Sequence, residues 1–134
     1  MPFPSRPTMS FVRLALVAPL ALAASLAHAL TIVPYSAAAL AAAQKAGEPV
    51  VLHFHASWCP TCRAQDKVFD ALRADQSLKV TLMEADYDTE KPLEKQMKVN
   101  AQATLIVFHG ATERARTTGE TDPARLKAVL QSAL

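Results

Sequence analysis

Residues 50–55 (VVLHFH) constrain the fold of this 134-residue chain more than any other segment. A continuous run of β-branched, aliphatic and aromatic residues of this length is typical of a strand buried on both faces. A sheet built around such a strand needs a helix on each side. The neighbouring segments supply them, because residues 36–45 favour a helix that stops at Gly47-Glu48-Pro49, and a second helix is predicted from Pro60 to about residue 74.

The remainder of the chain continues this alternation. Strands are predicted over residues 79–84, 104–109 and 114–118, and helices over residues 91–98 and, after a cap at Asp122, from Pro123 to about residue 133. The order α, β, α, β, α, β, β, α indicates an α/β fold with a central mixed sheet of four to five strands and helices on both faces. Residues 30–134 are therefore predicted to form one domain, with a parallel half and a C-terminal hairpin followed by a helix.

The first 29 residues have the pattern of a signal peptide. Arg6 and Arg13 precede the apolar run of residues 14–27, and Ala27-His28-Ala29 places small residues at the positions that a signal peptidase recognises. Pro19 interrupts this run, which is shorter than the roughly 20 residues that span a bilayer. We therefore expect cleavage near Ala29, no stable membrane anchor after processing, and a periplasmic or secreted domain.

Charge and cysteine content exclude two classes of protein. The chain has 14 Lys and Arg against 12 Asp and Glu, and the surplus lies before residue 30, so no basic surface for nucleic acid is predicted. Two cysteines are too few for a scaffold of several disulfides. We expect a monomer that folds by hydrophobic burial and needs no cofactor.

The chemistry is concentrated in Trp58-Cys59-Pro60-Thr61-Cys62. Two cysteines with this spacing at the start of a helix lie about one turn apart, close enough for a disulfide. Cys59 is predicted to be the exposed thiol, at a helix N-terminus that favours a thiolate, whereas Cys62 lies one turn further in and is shielded. A link across one turn closes too short a loop to stabilise a fold much, so the pair is predicted to be redox-active.

This motif, in the context VVLHFHASWCPTC, resembles the thioredoxin superfamily. The downstream strand TLIVFHG, Gly119 before the last helix and the order of elements support the resemblance. Within the superfamily, the sequence is most similar to the subgroup of bacterial extracytoplasmic thioredoxin-like proteins. This subgroup includes the C-terminal domain of the membrane electron conductor DsbD. The resemblance implies that Cys59 attacks a disulfide, that Cys62 resolves the mixed disulfide, and that Trp58 borders the substrate surface.

Three positions depart from the superfamily in the region expected around the cysteines. His53 replaces a buried aspartate, His55 replaces an aromatic residue, and Glu84 replaces a lysine of the next strand. The resemblance implies that His53 and Glu84 are candidates for relaying the proton of Cys62. The alternatives are a core histidine at position 53 and an ordinary surface carboxylate at position 84.

A fourth departure is Ala103, which replaces the cis-proline of the superfamily. A cis bond between Gln102 and Ala103 would cost about 2.5–4 kcal/mol, so a trans bond is predicted. Gln102, Ala103 and Thr104 are the expected substrate-binding positions, with the Ala103 N–H free to donate. Restoring the proline by Ala103→Pro is expected to increase the reduction of generic disulfides if the local backbone can still adopt the geometry of the superfamily.

The resulting hypothesis is an extracytoplasmic thiol-disulfide oxidoreductase, more a reductase or electron relay than an oxidant. Its partners would be disulfide-bearing or dithiol proteins, with a membrane electron conductor as one candidate. Pro60 and Thr61, between the cysteines, include no histidine to stabilise a thiolate strongly, which favours a reducing potential. The alternative is a module that binds or delivers Cu(I) or Zn through Cys59, Cys62 and a strand histidine. No residue is assigned as a metal ligand, because the histidine spacing is not a standard zinc pattern.

Overall fold

The computed structural model describes Met1 and residues 29–134, so the predicted signal peptide lies almost entirely outside the described residues. Four helices and five strands occur within that part of the chain. They are β1 (Leu30–Pro34), α1 (Ala37–Lys45), β2 (Pro49–His55), α2 (Pro60–Leu72), β3 (Val80–Asp86), α3 (Lys91–Met97), β4 (Thr104–His109), β5 (Thr112–Thr118) and α4 (Pro123–Gln131). None of these helices is long and apolar enough to cross a membrane.

The strands form one mixed sheet in the order β1-β3-β2-β4-β5. β3 pairs in parallel with both β1 and β2, whereas β4 runs antiparallel to β2 and to β5. The buried strand that the sequence predicted, β2, is the central one. The predicted α/β fold, with a parallel half and a C-terminal hairpin, is confirmed.

The predicted order was wrong in one respect, because it lacked β1. This strand lies at the sheet edge and pairs with β3, with Leu30 opposite Val80. Its five residues (LTIVP) follow directly after the predicted cleavage motif and end in proline, so the local pattern was too short to identify a strand. The pairing that stabilises it comes from a segment some 50 residues later in the chain. Such long-range pairing is invisible to a local pattern.

Helices cover both faces of the sheet, and alternation along β2 divides its residues between them. Val51 packs with Phe69 of α2 and Leu126 of α4 on one face. Val50, Leu52 and Phe54 pack with Leu40 of α1 and Leu93 of α3 on the other. Residues 53 and 55 have the same parity as Val51, so both strand histidines lie on the α2 side of the sheet.

Candidate active site

The cysteine pair lies at the N-terminus of α2. Cys59 is the N-cap residue, with extended backbone dihedral angles, and Pro60 occupies the first helical turn, where its missing N–H costs nothing. The two cysteines form a disulfide with their Cα atoms 5.3 Å apart. The backbone N–H of Cys62 donates a hydrogen bond to Sγ of Cys59 at 3.1 Å. In the reduced protein, the same donor and the helix dipole would stabilise negative charge on Cys59.

The predicted exposure of Cys59 is wrong for this oxidised form. Cys59 is 1% exposed and Cys62 is 0% exposed, so burial does not distinguish the two. The reason is that Sγ of Cys59 turns inwards to cap the helix, and Ala56 and Ala103 pack against the pair together with Tyr87. The difference between the two sulfurs is therefore electrostatic: Cys59 accepts the hydrogen bond at the helix end.

Trp58 is the large apolar side chain exposed beside the disulfide, with 54% of its surface accessible. Its indole N–H donates to Oδ2 of Asp88 at 2.8 Å, and the backbone N–H of Asp88 donates to Oδ1 of Asp86. These contacts tie the ring to the loop after β3. The role of Trp58 at the border of a substrate surface stays a prediction, and its exposure and fixed orientation are compatible with it. Pro60 is exposed and Thr61 is partly buried in the turn between the cysteines.

Residues 101–104, here called the Ala103 loop, face the disulfide from the other side. The Gln102–Ala103 bond is trans, as predicted, and Ala103 adopts a positive φ of 58°. The predicted free N–H at Ala103 is wrong. That group donates to the carbonyl of Phe54 at 2.8 Å, because the left-handed turn points it at β2, and the Ala103 carbonyl accepts from the N–H of Gly119.

The two other predicted substrate-binding positions differ in accessibility. Thr104 is 3% exposed, and its hydroxyl donates to the carbonyl of Ala101 and lies 2.9 Å from the hydroxyl of Thr118. Gln102 is partly exposed, and within residues 29–134 its backbone groups have no hydrogen-bond partner. Of the three positions, Gln102 is the one that offers polar groups to a partner.

Gln65 of α2 connects the Ala103 loop to the sheet, and the sequence analysis missed it. The side chain is fully buried. Its amide nitrogen donates to the carbonyls of Ala103 at 3.2 Å and Glu120 at 2.9 Å, and its oxygen lies 2.9 Å from Nε2 of His53. Gln65 follows Cys62 by three residues and so shares its helix face, which is the signal that would have identified it.

The contacts of Gln65 determine the tautomer of His53. Backbone carbonyls only accept hydrogen bonds, so the amide nitrogen of Gln65 must face them and its oxygen must face His53. Nε2 of His53 therefore carries the proton, and Nδ1 carries the lone pair. Nδ1 is buried and has no partner among the described residues. Burial lowers the pKa of His53 from 6.5 to about 4, although the Gln65 contact acts in the opposite direction, so the ring is neutral at pH 7.

His55 lies two residues further along β2 and has a different environment. Its Nε2 is 2.9 Å from Oδ2 of Asp66, and its Nδ1 is 3.5 Å from Oε1 of Glu84. The rings of His53 and His55 meet edge to face, with centroids 5.3 Å apart. His53 is directly opposite Glu84 in the register of β2 and β3. The structure thus brings His53 and Glu84 together, and it adds Asp66 of α2.

The profile of the thioredoxin family matches residues 35–132. The chain belongs to this family.

Three relatives illustrate the match. Mouse mitochondrial thioredoxin is 29% identical over 83 residues, which is 62% of this chain and 50% of the mouse protein. The Escherichia coli thiol:disulfide interchange protein DsbE is 34% identical over 64 residues, covering 48% of this chain and 34% of DsbE. The match therefore spans half or less of these two curated relatives. The crystal structure of Trxlp from Edwardsiella tarda aligns with a TM-score of 0.71 and 35% identity, over 75% of this chain and 98% of that one.

In this oxidised form of the thioredoxin-family protein, neither cysteine is available for the thiol-based metal site that the sequence left as the alternative. Both sulfurs are held in the disulfide. Within the described residues, the side chains that gather potential ligand atoms are His53, Asp66 and Glu84, without a cysteine. The arrangement at the helix N-terminus is instead a dithiol pair in its oxidised state, suited to thiol-disulfide exchange.

Proposed function

We propose that this protein is an extracytoplasmic thiol-disulfide oxidoreductase that acts as a reductase or electron relay for partner proteins. The observation that carries the proposal is the disulfide at the N-terminus of α2, with the Cys62 N–H donating to Sγ of Cys59. This contact stabilises a thiolate on one specific sulfur. The relative DsbE is named a thiol:disulfide interchange protein, which supports the same chemistry.

The reaction follows from the two roles. In the reduced protein, the Cys59 thiolate attacks one sulfur of a partner disulfide, forms a mixed disulfide and releases the other partner sulfur as a thiolate. Cys62 then loses its proton and attacks Sγ of Cys59, which releases the second partner sulfur. The Cys59–Cys62 disulfide of this structure is the product, and two electrons have passed to the partner.

The partner would bind at the surface between Trp58 and Gln102. Trp58 supplies an exposed apolar ring of fixed orientation, and Gln102 supplies backbone groups without internal partners. Ala103 and Thr104 contribute shape alone, because their hydrogen-bonding groups are used inside the fold. A surface with so few free polar groups favours a specific partner protein over generic extended peptides, and a membrane electron conductor is one such partner.

The proton of Cys62 is proposed to leave on the α2 side of the sheet. His53 accepts protons weakly, since burial lowers its pKa to about 4. It would therefore pass a proton towards Glu84 and the cavity beside it rather than store one. Replacing Glu84 with Gln should then slow release of the mixed disulfide more than its formation, whereas equal slowing of both steps would leave a structural role.

The direction of electron flow is testable by equilibrium titration against glutathione. The Pro60-Thr61 pair lacks a cationic side chain, so we expect a reduction potential nearer to about −270 mV than to about −120 mV. The redox state is read by alkylation and mass spectrometry, with a Cys59→Ser, Cys62→Ser double variant as the blank. A value near the oxidising end would contradict the reductase assignment.

The location is testable by the mass of the exported protein. Cleavage after Ala29 would keep all five residues of β1 and would remove the Ala29 carbonyl that accepts from the Val80 N–H. We expect the mature chain to begin at or near Leu30. An intact mass that retains residues 1–29 would contradict the extracytoplasmic assignment.

A further inference from the structure

A cavity of about 220 Å³ opens beside the sheet, on the side covered by α2. Its polar lining includes His53, Asp66 and Glu84, and Asp70 and Arg73 also line it. Arg73 is paired with Asp70, with Nε 3.0 Å from Oδ1. The other two carboxylates, of Asp66 and Glu84, share the lining with the neutral imidazole of His53. This part of the cavity therefore carries a net negative charge.

One ring nitrogen of His53 is free to act as a ligand. Its Nε2–H is used by Gln65, so Nδ1 is the nitrogen with an available lone pair, and this atom is buried without a partner among the described residues. Leaving a buried polar atom unpaired is unfavourable. A histidine that ligates a metal through one nitrogen usually donates its other N–H to an acceptor that fixes the ring, which is the role of Gln65 here.

The carboxylates also keep oxygens available. His55 approaches Oδ2 of Asp66 and Oε1 of Glu84. The other oxygen of each carboxylate has no hydrogen bond or ion pair within the described fold. His55 thus holds both carboxylates in place, as the outer contacts of a metal centre do.

The distances suit a small cation after a modest side-chain movement. One ligand atom each from His53, Asp66 and Glu84 lie within 4.8 Å of one another. Tetrahedral zinc with bonds of about 2.1 Å places its ligands about 3.4 Å apart. Glu84 is 41% exposed at the strand surface, so its side chain has the freedom to close this gap.

We propose that His53, Asp66 and Glu84 form a site for a divalent transition-metal cation, with Zn²⁺ as the representative ion. The nitrogen and oxygen ligand set suits this class of ion, and three protein ligands leave a position for water. The site contains neither cysteine. It rests on the proposed function only in sharing His53 and Glu84 with the proton path described above. Binding of a dication would satisfy Nδ1 and neutralise both carboxylates.

The test uses the full protein with its disulfide intact, so that the sulfurs are excluded as ligands. After removal of metal with a chelator, titration with Zn²⁺ is followed by calorimetry. We expect one ion per chain. The variants Glu84→Gln and Asp66→Asn should each weaken binding about tenfold or more, whereas the control Glu113→Gln, at an exposed carboxylate on β5, should bind as the wild type does.

A second measurement avoids variants that fail to fold. In ¹⁵N spectra of the histidine side chains, Zn²⁺ should shift the Nδ1 resonance of His53 while Nε2 stays protonated. Failure to bind Zn²⁺ in the oxidised protein would overturn the proposal. So would unchanged binding in both carboxylate variants, or binding that appears only on reduction and is lost in Cys59→Ser.

Discussion

The disulfide lies between two regions that are held in place by different means. On one side, the N-terminus of α2 is organised by neighbours in sequence: Cys59 caps the helix, Pro60 begins it, and the hydrogen bond from Cys62 spans three residues. On the other side, the Ala103 loop is held by Phe54, Gly119 and Gln65, which lie between 16 and 49 residues away. The attacking sulfur is therefore positioned by residues close to it in sequence, whereas the surface opposite it is positioned by the whole fold.

The hydrogen bonds around the Ala103 loop offset an unfavourable backbone conformation. A positive φ at alanine costs roughly 1–2 kcal/mol, because Cβ approaches the carbonyl oxygen. Three internal hydrogen bonds hold the residue, and each contributes about 0.5–1.5 kcal/mol. In this member of the thioredoxin family, hydrogen bonding thus fixes the loop at the position where relatives were expected to have a cis-proline.

The largest effect on stability is expected from Ala103→Pro. Proline fixes φ near −65°, whereas the site has φ of 58°, and proline also lacks the N–H that donates to Phe54. We expect a loss of about 3 kcal/mol or more in the free energy of unfolding, measured with urea. The gain in activity expected from the sequence required a backbone that proline can adopt, and a φ of 58° at Ala103 does not meet that condition. A variant as stable as the wild type would show that the loop can rearrange freely.

The next effect is the dependence of stability on pH. His53 is neutral in the folded protein down to about pH 4, whereas in the unfolded chain it gains a proton below about pH 6.5. The contribution of neutral His53 to the free energy of unfolding is therefore fully present above pH 6.5. It is lost as the pH falls towards 4, and the total loss is about 3 kcal/mol.

The pH effect is measured by urea unfolding between pH 7.5 and 4. His53→Gln should reduce the pH-dependent loss in the free energy of unfolding relative to the wild type. Titration of the His53 ring near pH 6.5, followed by NMR, would contradict the buried neutral state described here.

Gln65→Ala tests the link between the two regions. The substitution removes the partner of the His53 Nε2–H and of the Glu120 carbonyl, and each unpaired buried group costs about 1–3 kcal/mol. We expect a loss of about 2–3 kcal/mol in the free energy of unfolding, with Gln131→Ala, at an exposed position of α4, as the control. Equal losses in the free energy of unfolding for the two variants would contradict the linking role of Gln65.

The smallest effect is expected from Ala103→Gly. Glycine relieves the strain of a positive φ but adds entropy to the unfolded chain, and the two contributions oppose each other. We expect the free energy of unfolding to change by no more than about 1 kcal/mol. It rises if the relief of strain is the larger of the two contributions. A loss of several kcal/mol would show that the Ala103 methyl group packs on the disulfide more tightly than its backbone is strained.

The distinction between local and long-range contacts also explains which features could be predicted from the sequence. The strand of residues 50–55, the helix that begins at Pro60 and the Asp122 cap were predicted because each is determined by a few adjacent residues. β1 was missed because its pairing partner, β3, is distant in sequence.

Within the site, the cysteine pair was found from its spacing, from Trp58 before it, and from its place between a predicted buried strand and a predicted helix. The burial of Cys59, the occupied N–H of Ala103 and the contacts of Gln65 were not, because each depends on residues that only the fold brings together. Gln65 and Asp66 follow Cys62 by three and four residues, so the face of α2 that carries the buried sulfur was the one available signal.

The most direct test of the account is the order in which the two thiols react. The reduced protein is exposed briefly to iodoacetamide near neutral pH, and the modified cysteine is identified by mass spectrometry, with Cys59→Ser and Cys62→Ser as single-thiol references. We expect Cys59 to be alkylated first, because the Cys62 N–H and the helix end stabilise its thiolate. Faster alkylation of Cys62 would contradict the assignment of Cys59 as the attacking sulfur.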